Sequence, residues 1–507
     1  MIMQVSKHTL GEISAQPGLD IPDQRIFELP EKVLQFGTGV LLRALPDFFI
    51  DKANKRGFFN GRVVIVKSTD SDSSAFDKQD GLYTICVRGV ENGITVEENI
   101  INASVSRVLG ARTDWQRILE CAHNPEMKII ISNTTEVGIQ LVDDNIHNEP
   151  PVSFPGKLLA FLFERFKAFN GSKESGMVIV PTELITDNGT KLESIVLELA
   201  HRNNLDFKFI EWLENHNTFC NSLVDRIVPG KPNAADTKKI ETALGYEDEL
   251  LTMSEVFRLW AIEGNEKVRE ALSFYKADDA VVITPDITLF KELKLRLLNG
   301  THTFNCGTAF LSGFNITRDA VMHPVYGNFT RKLMQDEISP AIPFPIDGKV
   351  KTDFANNTFE RFCNPFIDHQ WQSITVQYTS KMKMRNIPLL QSHYEQNRSV
   401  PVHMATGFAA YLFYMKVTRK AGNKFYGQRN GEDYEIKDDS AEYFYNVWKG
   451  KKAAQVATEV MGNEELWDID LTKLPGLLPA VQEQLQDMMS NGVLQTVALL
   501  ETRKVIV

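Results

Sequence analysis

Cysteine is scarce in this chain, and what there is lies scattered. The five residues, Cys86, Cys121, Cys220, Cys306 and Cys363, include no Cys-x-x-Cys pair. That argues against a disulfide framework or a cysteine zinc site and fits a reducing compartment. Long apolar runs are missing as well. No stretch approaches the roughly 20 apolar residues of a membrane span, and the start, MIMQVSKHTLGEISAQPG, has no apolar core of signal-peptide length. Nor is there a basic surplus. Lys and Arg number 55 against 66 Asp and Glu, a net charge of −11, which argues against a nucleic-acid backbone as partner. No HExxH, Gly-x-Ser-x-Gly or Walker loop occurs, and the ten histidines show no metal-ligand spacing. The expectation is a cytoplasmic protein that acts on a small molecule without metal, membrane or nucleic acid.

At 507 residues the chain is too long for one core. After an extended lead-in, the apolar run Val33–Phe36 meets Gly37-Thr38-Gly39 and then a stretch of helical periodicity. Arg62–Ser68 reads as a β-branched strand, so the order opens as βαβ. Tyr83–Ile101 has two β-rich arms around Asn92-Gly93, a strong hairpin signal, and an antiparallel insertion in the sheet is expected there. Strands at Lys128–Ser132 and Met177–Pro181 alternate with helices at Trp115–Ala122, Lys157–Phe169 and Lys191–Arg202. Ala280–Pro285 is the last strand-like run, and long helical patterns dominate beyond it. The predicted architecture is α/β: a Rossmann-type domain over 1–284 with an inserted hairpin, then a mainly helical domain over 285–507. The polar stretch 419–438 reads as an exposed loop.

Three kinds of site emerge. Gly37-x-Gly39 lies between a strand and a helix, the context in which a dinucleotide pyrophosphate binds. Arg43 could pair with a phosphate there, but the usual third glycine is Leu42. After Val66, where an acid would bind the adenosine ribose of NAD and a base could tolerate the 2′-phosphate of NADP, stand Lys67, Ser68 and Thr69, with Asp70 a little late, which leaves the two cofactors open. Ser132-Asn133-Thr134-Thr135-Glu136 follows another strand, and Thr134 and Glu136 are candidate cofactor contacts, because ligands in open α/β sheets bind beyond the strand ends. Finally, FKELKLRLLNGTHTF (290–304) spaces Lys294, Asn299 and His302 as K-x4-N-x2-H. On an α-helix they fall near about 0°, 140° and 80°. They can converge to move a proton at a substrate oxygen, or they can be a solvated lysine, a turn amide and a core imidazole. The run Lys381-Met382-Lys383-Met384-Arg385 is basic; it reads as a solvated face or, through Lys381, as a partner for a substrate carboxylate.

QFGTGVLLR, QDGLYT (79–84), the NTTE stretch, VDRI and KLRLLNGTH together resemble the polyol-specific long-chain dehydrogenases of the mannitol dehydrogenase family, over residues 30–500. The resemblance implies hydride transfer with NAD and no metal. It makes Lys294 the catalytic lysine, Asn299 an amide polarising the substrate oxygen and His302 a positioning residue, with Asp225 and Lys381 contacting substrate. The substrate so implied is a keto-uronate, tagaturonate giving altronate; fructuronate and a neutral ketose are the alternatives. Two positions depart from the mannitol-type pattern. Thr182-Glu183-Leu184 replaces Cys-Asp-Asn, which loses one amide unless Asn188 or Glu183 takes part, and Ser373 stands where an arginine is expected.

Overall fold

The computed structural model describes residues 3–69, 72–134 and 138–502. Two compact units divide the chain: Met1–Gly89 with Thr95–Ile287, and Thr288–Val507 with Val90–Ile94. The first is built on six strands: β1 Glu31–Phe36, β2 Arg62–Lys67, β3 Val105–Gly110, β4 Ile129–Ser132, β5 Val178–Pro181 and β6 Thr218–Phe219. Every neighbour pair is parallel, and the order across the sheet is β3-β2-β1-β4-β5-β6. The order reverses between β1 and β4, the switch point where ligands bind in doubly wound sheets.

Alternation explains why these short runs are strands. Val33, Ile65, Ile131 and Val180 enter one core, while Leu34, Phe36, Val64, Val66 and Ile130 enter the core on the other face. A sheet apolar on both faces needs cover on both. Pro46–Lys55 supplies it on the first face; Phe154–Ala168 and Asn188–Arg202 supply it on the second.

Two expectations need correction. The hairpin is present, and Asn92 and Gly93 both take positive φ (53° and 75°) as a two-residue primed turn requires. Its arms, Tyr83–Glu91 and Ile94–Asn102, do not enter the main sheet. They form a separate four-stranded sheet with Thr252–Glu255 and Leu19–Asp20. Val281–Thr284 likewise joins a separate three-stranded sheet, parallel to Leu259–Glu263. The stretch 419–438 is not a loop but a three-stranded antiparallel sheet, Arg419–Ala421, Lys424–Arg429 and Glu432–Ile436. Asn430-Gly431 forms its second turn, again with positive φ at both residues. Gly427 leaves room for the Tyr434 ring, which would lie 2.4 Å from an added Cβ.

The second unit is mainly helical around one continuous core. Three helices of this unit are tied by one buried polar cluster. His403, near the start of Val402–Tyr414, faces Glu337 at 2.7 Å through Nδ1 and Glu501, on Val493–Thr502, at 3.0 Å through Nε2. Glu337 also accepts the backbone N–H groups of His403 and Met404, and Lys332 pairs with Glu501 at 2.9 Å. Burial by itself would depress the His403 imidazole, but the bonds to the two carboxylates outweigh it and raise the group to about 9. A group raised on folding adds stability that is fully present below its unfolded value, about 6.5, and is lost as pH climbs through about 9. The shift corresponds to about 3 kcal/mol. Denaturant unfolding of wild type and His403→Gln should therefore differ most near about pH 6 and converge toward about pH 10; a gap that does not change with pH would contradict a charged imidazole.

Candidate functional site

The crest of the first unit is formed by the loops leaving β1, β4 and β5. Gly37 ends β1 with φ +128°, and an added Cβ would stand 2.9 Å from both the Asn133 carbonyl oxygen and Leu42 Cδ1. Its N–H donates to the Val66 carbonyl at 3.0 Å. Only glycine lets the chain turn this tightly against the exit of β4. Gly39 precedes the helical turn Val40–Ala44, and no atom lies within 4 Å of where its Cβ would be. The turn thus combines a tightly packed glycine with an open one, which suits close approach of a pyrophosphate. Leu42, at the third-glycine position, is buried and closes the packing behind Gly37. Arg43 is turned inward: its Nη1 donates to the Leu250 carbonyl at 2.6 Å, and its guanidinium lies over the Phe76 and Tyr83 rings. The expected phosphate contact from Arg43 is therefore corrected to a packing role. Lys67 ends β2 and is buried. Asp70 and Glu136 lie outside the described residues.

Glu183 is buried after β5, and its carboxylate ties the neighbouring strand exit. It accepts from Ser132 Oγ and Thr134 Oγ1 at 3.1 Å each and from the Thr134 N–H at 2.9 Å. Burial raises this carboxyl, and those donors hold it back. Thr134 is thus placed by Glu183, and Asn133 is placed by Thr182, to which its Nδ2 donates. Asn188 is spent. Its Nδ2 faces the carbonyls of Pro181, Glu183 and Ser222, and its Oδ1 accepts from Gly189 and Ser222. Asn188 and Glu183, expected at substrate, are corrected to buried clamps, because their polar atoms are already used. Leu184 stands 66% exposed at the same strand exit. Asp225 is buried at the end of the Ser222–Asp225 strand.

In the second unit the 290–304 stretch is not one α-helix. Thr288–Leu293 is α-helical, Lys294–Gly300 winds as a π-helix, and Thr301–Leu311 is α-helical again. The difference decides the geometry. In an α-helix residues five apart diverge, whereas i→i+5 winding makes five residues about one turn. Lys294 and Asn299 are five apart, so the π segment turns them closer to one side than an α-helix would, and His302 follows three residues on. The Asn299 side-chain amide makes no hydrogen bond to the described residues, while the Asn299 backbone carbonyl accepts from Thr303 Oγ1 at 2.8 Å. A second π-helix, Met382–Asn386, is pinned to the first. Arg296 pairs with Glu292 at 2.9 Å and donates to the carbonyls of Met384 and Arg385 at 2.9 and 2.7 Å.

His302 lies in an aromatic box, with ring centroids 4.2 Å from Phe362, 5.2 Å from His369 and 5.7 Å from Trp371. Its Nδ1 is buried without a hydrogen-bond partner. Burial holds the imidazole well below its ordinary range, and His369, Arg361, Arg385 and Lys381 push it the same way. The ring is neutral at pH 7 and can hold a hydroxyl without adding charge. The basic run splits by side. Lys383 pairs outward with Asp468 at 2.8 Å, while Lys381 turns in and donates to the Ile374 carbonyl at 2.9 Å. Arg385 turns in as well. Sequence reading named Arg385 only as part of the basic run, though the i, i+4 spacing of 381 and 385 was a signal for it, and passed over Phe362, His369 and Trp371. Ser373 is exposed and donates to the Gln370 carbonyl. Among the described residues no cluster of His, Cys, Asp and Glu could hold a metal ion, and no helix is long and apolar enough to cross a membrane.

Residues 31–275 match the mannitol dehydrogenase Rossmann domain, and residues 286–489 match the mannitol dehydrogenase C-terminal domain. The chain is 37% identical over 472 residues to the altronate oxidoreductase of Bacillus subtilis (strain 168), covering 92% of this chain and 94% of that one. It is 36% identical to the altronate oxidoreductase of Pectobacterium carotovorum subsp. carotovorum (strain PC1), covering 92% and 96%. The fold is shared with Pseudomonas fluorescens mannitol 2-dehydrogenase, solved as a ternary complex with NAD and D-mannitol, at 22% identity, TM-score 0.70 and coverage of 99% and 100%. It is shared also with a D-sorbitol dehydrogenase at 20% identity, TM-score 0.81 and coverage of 97% and 100%. With both family domains matched in order and relatives aligned over nine-tenths of its length, this chain belongs to the mannitol dehydrogenase family.

Proposed function

We propose that the chain is an NAD-dependent reductase that interconverts tagaturonate and altronate. The observation that supports the reading is the π-helical turn that carries Lys294 and Asn299 and runs into the helix of a neutral, buried His302. The names of its relatives support the substrate, and so does the positive field that Arg361, Arg385 and Lys381 set around His302. The mannitol 2-dehydrogenase of the same fold was solved with NAD, and the Gly37–Gly39 turn at the sheet's switch point fits a dinucleotide pyrophosphate.

The reduced nicotinamide supplies a hydride to the ketone carbon. Lys294 gives a proton to the oxygen as it becomes a hydroxyl and takes it back in the reverse direction. The Asn299 amide donates to the same oxygen while charge builds there; one such donor is worth about 3 kcal/mol. His302 holds a substrate hydroxyl through an imidazole ring that stays uncharged. Lys381 faces the substrate carboxylate.

The deciding experiment is consumption of NADH and of NADPH with tagaturonate, fructuronate and fructose in parallel. Rapid turnover is expected with tagaturonate and NADH; turnover on fructose alone would sink the uronate reading. Lys294→Ala should lower kcat by about 10²- to 10⁴-fold, the range for a general acid–base group, with NADH affinity retained. Retention of most of the kcat would remove Lys294 from the mechanism. Gly37→Ala forces a side chain onto the Asn133 carbonyl at an unfavourable φ. A cost of about 1–3 kcal/mol should appear in thermal unfolding together with weaker NADH binding, and an unchanged NADH Kd would separate this turn from the cofactor.

A further inference from the structure

We propose that Arg385 is the residue that selects the sugar acid over the neutral ketose, by taking the substrate carboxylate on its guanidinium. The inference rests on the keto-uronate reading above and adds a receptor for the acid group. Arg385 sits on the Met382–Asn386 π-helix, whose carbonyls Arg296 pins to the helix that carries Lys294 and Asn299. Its Nη1 donates to Thr303 Oγ1 at 3.2 Å, and Thr303 is the residue after His302. Thr303 Oγ1 in turn bonds the Asn299 carbonyl. The guanidinium is therefore one hydrogen bond away from the turn that carries the amide and the imidazole.

Two features call for an anion there. Among the described residues the buried Arg385 Nε has no hydrogen-bond partner, and no carboxylate lies within ion-pair distance of Arg385. An uncompensated guanidinium out of water is costly unless something pairs with it. Among the described residues Lys381 donates to the Ile374 carbonyl and has no carboxylate within ion-pair distance. The nearby Asp438 is occupied, accepting the N–H groups of Thr379 and Ser440. With Nη1 committed to Thr303, the Nε edge of the guanidinium fork is left. That edge matches a planar carboxylate, which two parallel N–H groups bind side-on. A hydroxymethyl group, the neutral counterpart, has neither the charge nor the two acceptor oxygens.

The test compares tagaturonate with tagatose, which carries hydroxymethyl in place of carboxylate, on the full-length enzyme with NADH. Arg385→Gln should raise KM for tagaturonate by about 10- to 100-fold, the worth of a charge-assisted hydrogen bond. Its loss in kcat/KM should be at least about tenfold greater on tagaturonate than on tagatose. Arg385→Lys should recover part of the loss, and guanidinium ion added to Arg385→Ala should recover some turnover on tagaturonate. NADH affinity and thermal midpoint serve as the measure of folding. Equal losses on both substrates, or none on tagaturonate, would overturn the inference while leaving the uronate reading intact. A wild-type enzyme that prefers tagatose would overturn both.

Discussion

The Arg296 guanidinium is the interaction on which the second unit's chemistry depends. It is nearly buried, paired with Glu292, and donates to two carbonyls of a helix 88 and 89 residues away. A π-helical turn is an uncommon, strained way to wind a chain and survives where other contacts hold it. Here two such turns lie side by side, and Arg296 joins them, with Asn386 Nδ2 donating to the Gly300 carbonyl as a second tie. The consequence is a change of register: the five-residue spacing of Lys294 and Asn299 becomes about one turn, and Arg385 is brought against Thr303.

The first unit solves a different problem with different means. A sheet apolar on both faces settles where helices go, and the reversal of strand order between β1 and β4 settles where a ligand can enter. The crest is then made rigid from within. Glu183, Asn188 and Thr182 use their polar atoms on the loops around them, leaving few side chains to face a ligand. Backbone at Gly37 and Gly39 takes that place, as suits a ligand recognised through its phosphates. The electrostatic contrast follows: cations collect around His302 in the second unit, where a sugar acid requires them.

Reading the sequence alone recovered the βαβ opening, the Asn92-Gly93 turn and the helical texture of the second half. These rest on local rules: alternation, glycine at positive φ, and residue identity. It missed the sheet at 419–436, although Asn430-Gly431 carries the same turn signal as Asn92-Gly93, because the strands around it are short and largely polar. It also assigned substrate roles to Asn188 and Glu183, whose partners at Ser222 and Ser132 lie 34 and 51 residues away. Spacing along the chain carries no information about such partners.

What the sequence determined by itself was the inventory: a nucleotide-type strand–glycine–helix turn, a lysine, an amide and an imidazole in order, and a basic run at 381–385. Tertiary structure decided how these side chains are placed. It rewound 294–300 as a π-helix, divided the basic run into an outward Lys383 and inward Lys381 and Arg385, turned Arg43 onto two aromatic rings, and enclosed His302 among Phe362, His369 and Trp371. The physical reason is the same in each case. Propensity and periodicity act over a few residues, whereas hydrogen-bond satisfaction and burial are settled between segments that meet only when the chain has folded.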